Sequence, residues 1–125
     1  MQKYFIFLFS LVMASSCTEE EVTTRKYARV STEEITEITS SGMIFHGKLF
    51  FSSGDIMDHG FVWTDTGFPT LTNGNKISLG AKSDLGEFES SVTGTLQQGK
   101  LYSVRAYVQS STYTMYGKIL EFRRP

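Results

Sequence analysis

One cysteine, two prolines and two histidines are all that a chain of 125 residues contains of these types. With Cys17 alone, no disulfide closes within the chain. Serines are many, but two histidines and no glycine pattern of a nucleophile elbow leave a catalytic triad without its parts. No glycine-rich loop opens a helix, which excludes a phosphate cradle. The net charge is −1, without a basic patch and without the signatures of RNA- or DNA-binding modules, so nucleic acid is not an expected partner. No apolar run reaches the roughly 20 residues that a membrane-spanning helix needs. There is no internal repeat, no low-complexity block and no convincing helical period.

What is present begins at the N-terminus. Met1 to Lys3 is short and positively charged, "YFIFLFSLVMA" from Tyr4 to Ala14 is almost wholly apolar, and Ala14, Ser15 and Ser16 are small. A basic start, a short apolar stretch and a small-residue site make a secretory signal peptide. The composition changes abruptly at Cys17. A cysteine at this junction resembles the lipobox of bacterial lipoproteins, with Ala14 where that motif usually has Leu. The resemblance implies cleavage before Cys17, a thioether-linked diacylglycerol on its sulfur and an acylated amine. A thiolate is the nucleophile such chemistry uses. Two or more acyl chains anchor a protein stably without a spanning helix.

Glu19, Glu20 and Glu21 follow directly. Anionic surfaces repel them, and they read as part of a solvated tether from Thr18 to about Lys26. An acidic cluster just after a lipidated cysteine also resembles the surface-export signal of lipoproteins from Bacteroidota-type bacteria. That resemblance implies an outer-membrane anchor facing the cell exterior, with a periplasm-facing anchor as the alternative. The expected organisation is a signal peptide over residues 1–16, a lipidated acidic tether over 17–26 and one domain over 27–125. Removing residues 1–16 takes Lys3 away and moves the net charge to −2. A chain of this size buries about two-thirds of its unfolded surface, enough for a core without disulfides.

The domain reads as all-β. Ser, Thr, Gly and aromatic residues dominate, in short alternating runs between turn residues. A first strand is expected at Ile35 to Ile38, with "YARVS" ahead of it. "GMIFHGKLFF" places Met43, Phe45, Gly47, Leu49 and Phe51 on one face and Ile44, His46, Lys48 and Phe50 on the other. "SSGDIMD" reads as a turn. "HGFVWT" is apolar on both faces and belongs in the middle of a sheet. "TGFPTLTNGN" is loop by its Gly, Pro and Asn content. "KISLG" is a short strand, and "EFESSV" sends Phe88, Ser90 and Val92 to one side. "LYSVRAYV" turns Tyr102, Val104, Ala106 and Val108 inward, with Ser103, Arg105 and Tyr107 outward. "YGKILEF", from Tyr116, closes the sheet as one strand with Leu120 and Phe122 inward.

Leu96 lies six residues before Tyr102. The spacing resembles the tyrosine corner of Greek-key sandwiches, in which a Tyr near a strand start turns its hydroxyl back to the upstream backbone. The likeness extends further. "HGFVWTDTGFPT", "GEFESSVTGTL", "YSVRAYV" and "YGKILEF", in that order and spacing, resemble segments of fibronectin type III-like domains common in Bacteroidota surface proteins. The match runs from about Ile35 to Phe122. The chain departs from it at Thr95, one residue extra before Leu96, and at Gln98, where the corner usually has Pro. The resemblance implies a Greek-key β-sandwich of about seven strands, fibronectin type III/immunoglobulin-like, with structural and adhesive roles, no catalytic site and no cofactor.

Candidate chemistry is sparse. Asp55, Asp58 and His59 in "DIMDH" could supply metal ligands, with His46 on the second strand, but Asp is an ordinary turn residue. Trp63 could stack on a sugar or fill the core. The candidate partner-binding residues are the loop aromatics Phe68, Tyr113 and Tyr116. Tyr offers large contact area with few rotatable bonds. Tyr113, mid-loop between polar residues, is the expected first hot spot, with a satellite cluster beneath the loop as the other reading. Two classes of function stay open. One is a non-enzymatic surface module that binds protein, adheres or assembles. The other is a glycan-binding lipoprotein accessory to polysaccharide uptake. A coplanar pair of exposed aromatics would favour the glycan binder, and an apolar edge or patch the protein binder.

Overall fold

The computed structural model describes residues 27–94 and 96–125. The signal peptide, the tether with Cys17 and Glu19 to Glu21, and Thr95 lie outside the described residues. The chain forms eight strands: β1 (Arg29–Thr39), β2 (Gly42–Phe51), β3 (Asp58–Thr64), β4 (Asn75–Ser78), β5 (Gly86–Thr93), β6 (Leu101–Gln109), β7 (Thr114–Tyr116) and β8 (Leu120–Arg123). They build two antiparallel sheets, one ordered β1-β2-β5 and the other β4-β3-β6-β7, with β8 also on β6. The protein is an all-β sandwich, and no helix appears among the described residues.

Alternation decides which faces meet. Met43, Phe45 and Leu49 of β2 and Phe88 and Val92 of β5 are buried, as are Phe61 and Trp63 of β3 and Tyr102, Val104 and Ala106 of β6. Phe45 sits centrally, its ring 5.6 Å from Phe61, 5.6 Å from Trp63 and 5.4 Å from Phe122. Trp63 is therefore core, although its Nε1 has no hydrogen-bond partner among the described residues. Inward Gly47 makes room for the neighbouring sheet, since a Cβ there would lie 2.6 Å from the Phe88 ring. A second, smaller cluster joins Ala28, Leu49, Ile56 and Val108, with Tyr113 and Met115 packed on it. The Tyr102 hydroxyl accepts the Gln97 backbone N–H at 2.8 Å, and Leu96 is buried beside it in the core.

Four elements differ from the sequence reading. β1 is one strand of 11 residues and not a short Ile35–Ile38 segment. Irregularities in its pairing with β2 between Glu33 and Thr36 and between Thr36 and Thr39, with Glu37 at φ 52°, break the alternation that would have revealed it. "YGKILEF" is not continuous. β7 pairs with Tyr107 to Gln109 and β8 with Leu101 to Val104, both along the same side of β6. Gly117 stands between them, and a Cβ on it would lie 2.6 Å from both N and Oγ1 of Thr32 on β1. The chain must yield there to let the sheets touch. The turn after β2 is not wholly hydrophilic, because Ile56 is buried and bridges to Lys82. Tyr107 lies on the outer face as expected but is fully buried. Loop 65–74 folds back over that face, with Pro69 also buried.

Candidate functional site

The sandwich has two ends. At one end lie the entry at Tyr27, the β2–β3 loop 52–57, the β4–β5 loop 79–85 and the β6–β7 loop 110–113. At the other lie the β1–β2 turn, loop 65–74 and loop 94–100. The three candidate aromatics do not come together. Phe68 belongs to the second end, Tyr113 to the first, and Tyr116 to the outer face between them.

Tyr113 is held from several sides. Its hydroxyl donates to the Ser53 carbonyl at 2.7 Å and accepts the N–H of fully buried Ala28 at 3.1 Å. Its ring meets Tyr27 edge-on at 5.2 Å. The mid-loop position suggested an open ring. The structure places a half-buried brace that ties the domain entry to the β2–β3 loop, and the satellite-cluster reading describes it. Tyr116 is a brace as well. Its hydroxyl accepts the Leu71 N–H at 3.1 Å, and the Arg105 guanidinium lies 4.0 Å over its ring. Arg105 Nε donates to the Pro69 carbonyl at 2.8 Å. Together they clamp loop 65–74 to the sheet. Asn73 Nδ2 reinforces the loop by donating to the carbonyls of Thr66 and Phe68. Phe68 alone of the three projects, at 72% exposed.

The Asp58–His59 pair is occupied by the fold itself. The Asp58 carboxylate accepts Ser78 Oγ at 2.5 Å, the Gly80 N–H at 3.0 Å and the Tyr107 hydroxyl at 2.7 Å. Burial alone would raise its pKa, but these donors and the His59 backbone outweigh it and hold the carboxyl below its ordinary value. Burial and the Asp58 carboxylate push the Tyr107 hydroxyl up. His59 is buried, its Nδ1 donating to the Gly80 carbonyl at 2.7 Å and its ring edge-on to Phe88 at 4.8 Å. Burial, chiefly, lowers its pKa; the Gly80 bond opposes this and Lys82 adds to it. His46 bonds Thr36 across β1–β2 at 2.6 Å. Among the described residues no three His, Cys, Asp or Glu side chains converge to hold a metal.

The site that the linear reading missed is a groove of about 740 Å³ between β1 and β8. One wall is β1 from Val30 to Ile35, with Ile38, and the other is Lys118 with β8. Val30, Ile35, Leu120 and Phe122 line it and are continuous with the core. The sheets are pinched at Thr32, whose hydroxyl accepts the buried Ala106 N–H at 3.0 Å beside Gly117. Beyond that pinch lie Ile38, half exposed, and Leu120. β1 pairs only with β2 and β8 only with β6, so each presents one unpaired edge among the described residues. The rim carries Glu33, Glu34 and Glu121 against Lys118 and Arg123. Arg123 is already engaged, donating to the Gly99 carbonyl at 2.7 Å. The rim is thus acidic in its free charge. The signal for this groove in the sequence is "STEEITEI", where apolar residues three apart deny a regular edge strand.

No family model, no curated protein and no solved structure matches the chain. Among the described residues no helix is long and apolar enough to cross a membrane.

Proposed function

We propose that this chain is a non-enzymatic lipoprotein, anchored through Cys17 at the outer membrane, that displays one fibronectin type III-like module for protein interaction at the cell surface. The occupant of its site is an extended polypeptide segment laid into the β1–β8 groove. The observation that carries this reading is the pairing of two free sheet edges across one apolar floor. Unpaired strand edges hydrogen-bond an added strand through the main chain, and side-chain pockets beneath them give the selectivity. A segment with apolar residues at alternate positions and basic residues beside them suits this floor and its acidic rim. The glycan reading has less support, because the Tyr27 and Tyr113 rings meet edge-on and the Tyr116 face is taken by Arg105.

A photo-crosslinking amino acid at Ile38, compared with the same group at Phe68, tests the reading on intact cells. Ile38 should yield one defined adduct whose partner peptide is an extended, alternating segment, and Phe68 should not. Equal adducts at both positions, or an adduct at Phe68 alone, would remove the groove from the account.

A further inference from the structure

Five of the eight large apolar side chains exposed among the described residues gather at one end of the sandwich. They are Tyr27, Phe50, Met57, Leu79 and Leu85, each 37–59% exposed. Tyr27 precedes β1, Phe50 is the last residue but one of β2, and Met57, Leu79 and Leu85 lie in the two loops that join the sheets there. Scattered exposed leucines need no explanation, but a concentration of apolar residues on one surface marks an interaction face.

The loops that carry them are tied to one another. Ile56 bridges to Lys82, the Met57 N–H donates to the Gln109 carbonyl at 2.8 Å and the Leu79 N–H to the His59 carbonyl at 2.7 Å. Tyr113 joins Ser53 to Ala28 across the same end. The apolar side chains therefore stand on a braced platform and not on free loops.

This is the end at which the chain enters the domain. Ten residues separate its first described residue from the sequence before Cys17, and fully extended they reach about 35 Å. We propose that the platform rests on the bilayer itself, with these side chains at the level of the headgroups. The inference rests on the lipid anchor at Cys17 proposed above. A tether this short keeps the platform at high effective concentration next to the lipid, so weak insertion suffices. Tyr at a membrane interface keeps its ring in the apolar layer and its hydroxyl in the wet one. Lys48 already lies with its Nζ 5.1 Å over the Phe50 ring, and a lysine stem can follow apolar surface while its charge stays in water. Lys82 and Arg29 also lie at this end, and Asp55, Asp84 and Glu87 balance the three cations. The face suits a neutral headgroup layer. Docked this way, the domain points the open half of the β1–β8 groove, from Thr32 to Ile38, away from the membrane.

The test uses the full lipidated chain in vesicles of phosphatidylcholine and phosphatidylethanolamine with brominated acyl chains. Met57→Cys and Leu101→Cys each carry the same environment-sensitive fluorophore, one at each end of the sandwich. Both positions are exposed, so neither label disturbs the core. The Met57 label should lose most of its emission to the brominated lipid and shift to the blue, while the Leu101 label keeps its intensity. If the protein floats with the vesicles but the two labels behave alike, the docking is wrong and the anchor stands. If the protein fails to float, the anchor is wrong and the docking falls with it. Spectral change at Met57 that follows protein density and not bromination would assign the face to a second copy of the chain and overturn the proposal.

Discussion

At the scale of the residue, the polar groups at the β3–β4–β6 junction make stability depend on acid. His59 has its pKa lowered from 6.5 by burial, so the unfolded chain takes up a proton more readily than the folded one. Its contribution is complete above pH 6.5 and falls as the pH drops toward the lowered folded value. Asp58 acts lower in the range. Its folded pKa lies below 3.8, so what it contributes is complete above that value and is lost as the pH falls through the folded one. Melting temperature against pH should therefore decline in two stages, and Asp58→Asn should flatten the lower stage only. An unchanged profile in that variant would show that the carboxylate is not held by its donors.

Tyr113 gives the second prediction at this scale. Tyr113→Phe leaves the Ala28 N–H without a partner and should cost about 1–3 kcal/mol. Tyr113→Ala should cost more, since the ring also packs on the small cluster. For a domain of this size each kcal/mol is about 4–8 °C in melting temperature. A variant that melts like the parent would return Tyr113 to the free surface. Residue identity is only partly legible in a sequence like this. Trp63 in "HGFVWT" reads as core because its whole strand is apolar. Tyr113 in "SSTYTMYG" does not, because its partners, Ser53 and Ala28, are 60 and 85 residues away. Tyr107 misleads for the same reason, its cover being a loop far off in the chain.

At the scale of the element, strands with clean alternation, such as β2, β5 and β6, can be read directly from their residues. β1 cannot, because a bulged edge strand shifts its side chains between faces and looks irregular in one dimension. The β7–β8 break is equally hidden, since Gly117 reveals its role only when β1 lies against it. That close approach is testable. Gly117→Ala puts a methyl group against the backbone of Thr32 and should destabilise by about 1–3 kcal/mol. The same shift should loosen the Thr32–Ala106 bond, so the Ala106 amide should exchange with solvent faster. Full stability in this variant would mean that the sheets can part at the pinch without cost, and that the groove has no fixed width.

At the scale of the whole molecule, the account joins a lipid anchor to a sandwich with an open seam. Cys17 is the one thiol in the chain. Cys17→Ala should release the protein from membranes altogether; a variant that still fractionates as an acylated species would contradict the lipoprotein reading. The resemblance to fibronectin type III-like domains suggests adhesion or assembly but names no surface. The groove between β1 and β8 is the surface proposed for it, so its occupancy is the central claim. The most direct measurement is amide hydrogen exchange on the full chain, with and without a synthetic peptide of the segment crosslinked at Ile38. The account predicts that β1 beyond Thr32 and β8 gain protection together, while loops 52–57 and 65–74 do not change. Protection confined to loop 65–74 around Phe68, with both strand edges unaltered, would contradict it.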